Sequence, residues 1–320
     1  MNWTTELLEY YLKNRGGTKE FDRDNAISHL LDSEIKCPTS RPYTHSHAGS
    51  ISYRSPNILF DRTKEEQIEF DLIRNNPEAI ISIINSKLKI NYHDILIPYN
   101  YQKDIIREIS ENTHTLFNVS RQIGMTTCAS LQVLHYLLNN KDKTVLFITN
   151  NMDSVRHVMD KLTDMYCCLP YHMMVGATPN KQGFGISFEN GSSIEIDTHF
   201  SLPRTEPVNY LILQDYDHLS NGPGILFNLY EKSDKILIYS TPSSGSNLWI
   251  PEEYRFNNLY FDKTNKFKKY TYPNSITRKR NQKELIDMLG IESYITEYEC
   301  LFPRTKEYDE SLKLYSHAVI

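Results

Sequence analysis

The chain has 320 residues and a formal net charge of −5, with 39% hydrophobic and 23% charged residues. That length carries ample core for one large domain or two smaller ones, and the acidic balance excludes a global basic field of the kind that coats nucleic acid, leaving a local basic groove as the way to bind it. Cys37, Cys128, Cys167, Cys168 and Cys300 are odd in number and form no Cys-x-x-Cys pair, so they read as reduced thiols in a cytosolic setting. The opening MNWTTELLEYYLKNRGG lacks the apolar core of a signal peptide. No apolar run approaches the roughly 18 residues a membrane span needs.

In chain order, residues 1–60 read as a loop-rich extension. Leu7, Leu8, Tyr11 and Leu12 would line one face of a short helix, and after Gly16-Gly17 come Pro38, Pro42 and Pro56. His45 and His47 have no partner at a metal-ligand spacing and read as loop residues. Residues 61–114 read as a helical subdomain, because 64–87 carries apolar positions at helical period, with Pro77 between two helices.

From 115 to 305 strands and helices alternate. An apolar strand at 116–119 runs into Ser-Arg-Gln-Ile-Gly-Met-Thr-Thr and a helix over about 126–139. A strand at 144–149 precedes a helix over about 152–167. Gly185–Phe188 and Ser193–Asp197 flank Asn190-Gly191, a strong hairpin signal. Buried strands follow at 210–213 and 235–239, the second ending in Ser240-Thr241-Pro242. Residues 258–262 and Lys268–Tyr272 read as another hairpin, followed by helices over about 281–289 and 291–300 and a tail at 306–320. Short apolar strands separated by helices predict an α/β fold with a mostly parallel sheet covered on both faces. Ligands of such sheets sit at the carboxyl ends of the strands.

The segment after the first of these strands is where a phosphate-binding loop belongs. Such a loop surrounds phosphate with backbone N–H groups and a helix N-terminus. Gly124 allows close approach, and Thr126 and Thr127 offer hydroxyls for magnesium, but Met125 stands where a lysine normally reaches the outer phosphates. The plainer alternative is a strand-to-helix turn with Thr126 as helix cap.

Ser120, Arg121, Gln122, Gly124, Thr126 and Thr127 resemble the Ser-Arg-Gln-x-Gly-Lys-Thr-Thr loop of tailed-phage terminase large subunits at every fixed position but the lysine. Other stretches resemble the ATPase domain of that family in the same order over 60–305. Tyr101-Gln102 matches a Tyr-Gln pair that reads adenine, Arg204 an arginine before the Walker B strand, and Ser240-Thr241-Pro242 a coupling motif. The resemblance implies a P-loop NTPase-type sheet flanked by helices, with a helical N-terminal subdomain. It also implies ATP and Mg2+ as cofactors, held by Tyr101, Gln102, the loop and the end of strand 210–213. Arg121 or Arg204 would then act on the γ-phosphate, Thr126 and Asp215 would serve the metal, and Asp215 would orient water. Double-stranded DNA, a procapsid portal, other terminase components and further copies of the chain are the implied partners, with no membrane, in the cytoplasm of an infected host cell.

Three departures bear on chemistry. Met125 removes a charge-assisted contact of about 1.5–3 kcal/mol and the charge that most helps a transition state. In YLILQDYDHL the spacing from Arg204 puts Gln214 at the Walker B Asp position and Asp215 at that of the water-positioning Glu. In another register Asp215 is the acid itself. After Phe302-Pro303 too little chain remains for the nuclease of the family. The expectation is thus a terminase-like nucleotide-binding fold with weak or absent hydrolysis, or an accessory binding protein built on it. A helicase-like ATPase is a third reading. Arg278-Lys279-Arg280 and Lys263, Lys266, Lys268 and Lys269, interleaved with aromatics, form either a DNA-facing surface or a solvated hairpin.

Overall fold

The computed structural model describes residues 43–44, 53–54, 62–75, 77, 99–167, 169, 171–180, 184–198, 207–219, 221–242, 255–277, 281–303 and 305–318. Outside them lie the expected helix around Leu7–Leu12, the helix after Pro77, Cys37, His45, His47, Cys168, Arg204 and Arg278-Lys279-Arg280.

A two-residue ribbon pairs β1 (Tyr43–Thr44) with β2 (Tyr53–Arg54). The elements after it are α1 (Lys64–Asn75), α2 (Asn100–Glu111), β3 (His114–Val119), α3 (Met125–Asn139), β4 (Thr144–Ile148), α4 (Met152–Cys167), β5 (Ala177–Pro179), β6 (Gly185–Phe188) and β7 (Ser193–Asp197). Then come β8 (Tyr210–Gln214), α5 (Gly222–Leu229), β9 (Lys235–Ser240), α6 (Phe256–Phe261), β10 (Lys268–Tyr272), α7 (Asn274–Thr277), α8 (Gln282–Leu289), α9 (Ile291–Glu297) and α10 (Lys306–Ala318). Strands β3 to β10 form an eight-stranded sheet in the order β10-β3-β9-β8-β4-β7-β6-β5. The pairs β10–β3, β3–β9, β9–β8 and β8–β4 are parallel, and β5–β6 is antiparallel. The expected α/β class with a mostly parallel sheet is therefore present.

The chain divides into two compact units, one of Met1–Arg107, Ala129–Lys143 and His157–Ile194, the other of Glu108–Cys128, Thr144–Arg156 and Glu195–Ile320. In the first, α1 opens with a reciprocal cap legible in Thr63-x-x-Glu66. The Glu66 N–H donates to Thr63 Oγ1 (3.2 Å) and the Thr63 N–H to Glu66 Oε2 (2.9 Å). The Asn190-Gly191 turn forms as expected and closes the end of α3. Asn190 Nδ2 donates to the carbonyls of Leu137 and Asn140, both at 2.8 Å, and Ser192 Oγ to that of Asn140 at 2.8 Å. These are carbonyls a helix end leaves without an intrahelical partner. Gly191 sits at φ 83°, and a Cβ there would lie 2.0 Å from Asp142 Oδ1.

The second unit holds the parallel core. Leu116, Leu146, Leu211, Leu213, Ile236 and Ile238 pack with Ile225, Leu226 and Leu229 of α5 and with Phe256. The intervening Phe117, Phe147, Ile212 and Leu237 are also fully buried. Both faces of these strands are therefore covered, which is why they read as unbroken apolar runs. Each such side chain contributes about 1.5–3 kcal/mol by leaving water. At the start of β9, Lys235 Nζ donates to the carbonyl of Ile109 at 2.5 Å, near the end of α2. Burial pulls this ammonium down to about 8.

One expectation is corrected. Residues 258–262 do not pair with Lys268–Tyr272: the first stretch belongs to α6, whose Phe256 and Leu259 are buried one helical turn apart, and β10 instead pairs parallel with β3. A short apolar run fits either period, and here the i, i+3 contact decides. Within β10, Tyr270 and Tyr272 stack on Phe117 at 5.0 and 6.3 Å between ring centroids. The tail at 306–320 carries α10, whose Tyr308, Leu312 and Tyr315 pack on α8 and α9.

Two stability changes follow. Lys235 is depressed in the folded chain, so the folded state releases its proton first and the cost of burying the charge is relieved as pH rises from about 8 toward the unfolded value. Urea unfolding of the native chain, compared with Lys235→Met, should move in favour of the native chain by about 2 kcal/mol between about pH 7.5 and 9.5. Gly191→Ala should cost about 1–2 kcal/mol because alanine resists the left-handed region, and Gly191→Asn less; urea midpoints measure both.

Candidate functional site

The carboxyl ends of β3, β8 and β9 lie side by side in the second unit, since β3–β9 and β8–β9 pair in parallel. From β3 the chain enters the loop 120–124, with Gln122 at φ 61° and Gly124 at φ 89°, and then α3. A left-handed glutamine costs about 1–2 kcal/mol, so surrounding contacts hold it. The Ser120 N–H donates to the Tyr272 carbonyl and the Arg121 N–H to the Glu297 carbonyl, both at 3.0 Å. Arg121 Nε also faces Glu297 Oε2 at 3.1 Å. That pair is half exposed and worth about 0–1 kcal/mol, but it directs the guanidinium toward α9. The Cys128 N–H makes the first helical bond, to the Gly124 carbonyl at 3.0 Å. The N–H groups of Met125, Thr126 and Thr127 precede that bond, as helix geometry requires. The Met125 side chain is 5% exposed and fills protein interior.

Gln214 closes β8 and is buried. In the register of the sheet it stands beside Tyr239. The Tyr239 hydroxyl donates to Gln214 Oε1 at 2.7 Å, and Gln214 Nε2 donates to Asp215 Oδ2 at 3.3 Å. The Thr126 side chain lies beside the same phenol, and burial, ahead of the nearby charge of Asp215, drives the phenol far up. Tyr239, Gln214 and Asp215 therefore form one chain of hydrogen bonds whose first two members are uncharged. Asp215 has φ 50° and ψ 46° and starts the turn Tyr216–His218. The Asp217 N–H donates to Ser240 Oγ at 3.2 Å, and Ser240 Oγ donates to the Thr241 carbonyl at 2.8 Å, joining that turn to the end of β9.

The structure thus brings the loop residues, Gln214, Asp215, Ser240 and Thr241 into one region. Tyr101 and Gln102 belong to α2 in the other unit. There Tyr101 stacks on Tyr99 at 5.4 Å, and Gln102 Oε1 accepts from the Tyr99 N–H at 3.0 Å as half of a helix cap. Tyr239 and Glu297 escaped the sequence reading. Tyr239 looked like one more apolar residue of KILIYS, although its place directly before Ser240 put a phenol at a strand's carboxyl end. Glu297 gives no local signal, because its contact with Arg121 is made through tertiary packing.

Magnesium at such a site takes hard oxygen ligands, with one or two carboxylates beside the phosphates. Here the strand position holds an amide whose oxygen already accepts from Tyr239, and the loop hydroxyl of Thr126 lies beside that same phenol. Asp215 is the carboxylate of the chain, and one of its oxygens is taken by the amide of Gln214. Among the described residues no group of three or more His, Cys, Asp or Glu is placed to hold a metal ion. These residues do not fit a magnesium shell.

No protein-family model matches the chain. Among solved structures it is similar to the large terminase ATPase domain of Thermus phage P74-26, at 13% identity and a TM-score of 0.49 over 64% of this chain and 94% of that one. It is similar to the large terminase of bacteriophage HK97 at 13% identity and 0.49, over 76% and 52%, and to that of the thermophilic bacteriophage D6E at 11% and 0.48, over 63% and 53%. The chain spans about half the length of the HK97 and D6E proteins. At such identities the chemistry of the site is read from its own residues.

Proposed function

We propose that the chain is a nucleotide-binding protein of viral DNA packaging in which ATP hydrolysis is weak or absent. One observation supports this reading: a strand-to-helix loop with Gly124 at positive φ leads from β3 into α3 beside the carboxyl ends of β8 and β9, while the two positions that would give such a site its charge are uncharged. Met125 is buried where a lysine would extend, and Gln214 is fixed in a hydrogen-bond chain where an aspartate would stand. Positioning and electrostatics supply almost all of the catalysis in phosphoryl transfer, so losing both charges removes rate before it removes binding. In any residual turnover Asp215 would orient water, and Arg121 or Arg204 would be the cation for the outer phosphate. Ser120, Gln122, Gly124, Thr126 and Thr127 would hold the nucleotide, and Ser240 and Thr241 would couple the site to movement. Double-stranded DNA, a portal, other terminase components and further copies of the chain are the partners this reading assigns, in the cytoplasm of an infected cell.

A second reading, an accessory or regulatory protein on an inactive fold, is favoured by the Arg121–Glu297 pair, which directs the one charged side chain of the loop toward α9.

Steady-state phosphate release from ATP with magnesium, with and without double-stranded DNA, tests hydrolysis, with Asp215→Ala as the baseline. Release should stay at that baseline. Met125→Lys alone should leave it within a few-fold of the native chain, and adding Gln214→Asp should raise it by about 10- to 100-fold. Brisk DNA-stimulated release by the native chain, abolished in Asp215→Ala, would sink the proposal.

A further inference from the structure

We infer that this site takes a nucleoside di- or triphosphate without a divalent cation, because the Tyr239 hydroxyl is bonded to Gln214 where a metal shell would otherwise be organised. The inference rests on the nucleotide-binding reading above and names the form in which the ligand arrives.

In a magnesium-using phosphate loop, the helix hydroxyl and the strand carboxylate face one another across the ion. The hydroxyl is present in this chain as Thr126, and the strand position is Gln214. Beside both stands Tyr239, with its hydroxyl donating to Gln214 Oε1 at 2.7 Å. The place of Tyr239 is fixed by the sheet: β8 and β9 pair in parallel with Gln214 beside Tyr239, and both residues are buried. A buried neutral network with its donors and acceptors matched gains nothing from a divalent ion. To admit one it must surrender hydrogen bonds and bring a charge beside a network that holds one carboxylate. That carboxylate, Asp215, already accepts from Gln214 Nε2 at 3.3 Å. Phosphate is instead met by groups that need no metal, namely the N–H groups at the start of the 15-residue α3 and the Thr127 hydroxyl. Met125 adds no cation, and Arg121 is directed to Glu297.

Thermal unfolding of the full chain, titrated separately with ADP, ATP and pyrophosphate in excess EDTA and in excess magnesium, tests this. The nucleotide affinities should agree within about twofold between the two conditions, and pyrophosphate separates the phosphate contribution from that of the base. Affinity tighter by about tenfold or more in magnesium would overturn the inference while leaving nucleotide binding intact. No stabilisation by any of the three in either condition would remove the nucleotide-binding reading, and the inference with it. The double variant Gln214→Asp/Tyr239→Phe, checked for native melting, should gain a magnesium dependence of about tenfold. A double variant that folds, binds nucleotide and stays indifferent to magnesium would show that Tyr239 is not what excludes the ion.

Discussion

A single hydrogen bond, from the Tyr239 hydroxyl to Gln214 Oε1 at 2.7 Å, sets the character of this molecule's site. It joins two adjacent parallel strands at the ends where such sheets present their ligands. Because both side chains are buried, an unpaired phenol or amide there would cost about 1–3 kcal/mol. Each therefore requires the other, and Asp215 is drawn into the same chain. The loop backbone supplies N–H groups for an anion, while the side chains behind it are organised around neutrality.

A second layer of organisation comes from the far end of the sequence. The loop is pinned through the carbonyls of Tyr272 and Glu297, and Asn118 Nδ2 donates to the Cys300 carbonyl at 2.7 Å. Cys300 takes φ 60°, and Tyr298 and Tyr294 stack within the small core of α8 and α9. These helices serve the site as a buttress. A left-handed Gln122 persists because the residues before it are held on both sides. On the nucleotide-binding reading, a loop held this way would lower the ordering cost of binding.

Much of the architecture was legible in the sequence, and the reasons are local. The strands ending at Val119, Ile148, Gln214 and Ser240 are unbroken apolar runs, and Asn190-Gly191 can hardly be other than a tight turn. The substitutions Met125 and Gln214 were visible against the motif they interrupt. The helix at 256–261 and the parallel pairing of β10 were not legible, because asparagine-flanked aromatic runs suit either period and only contact with Phe117 and the core settles them. Tyr239 was not legible either. Its significance lies in standing beside Gln214 in the sheet register, and register is a property of two strands together. The same holds for Glu297, which meets Arg121 by packing alone.

The neutrality of the Tyr239–Gln214 pair also makes it hard to leave one step at a time. Placing an aspartate at 214 while Tyr239 and Met125 remain would set two neighbouring carboxylates against a buried phenol, with neither lysine nor metal to offset them. Removing the phenol first would strand the amide, and adding the lysine first would bury an ammonium in the space Met125 fills. Each single change meets a desolvation or packing cost before the change that would compensate it. The uncharged site is therefore a local trap in sequence space, entered more readily than it is left.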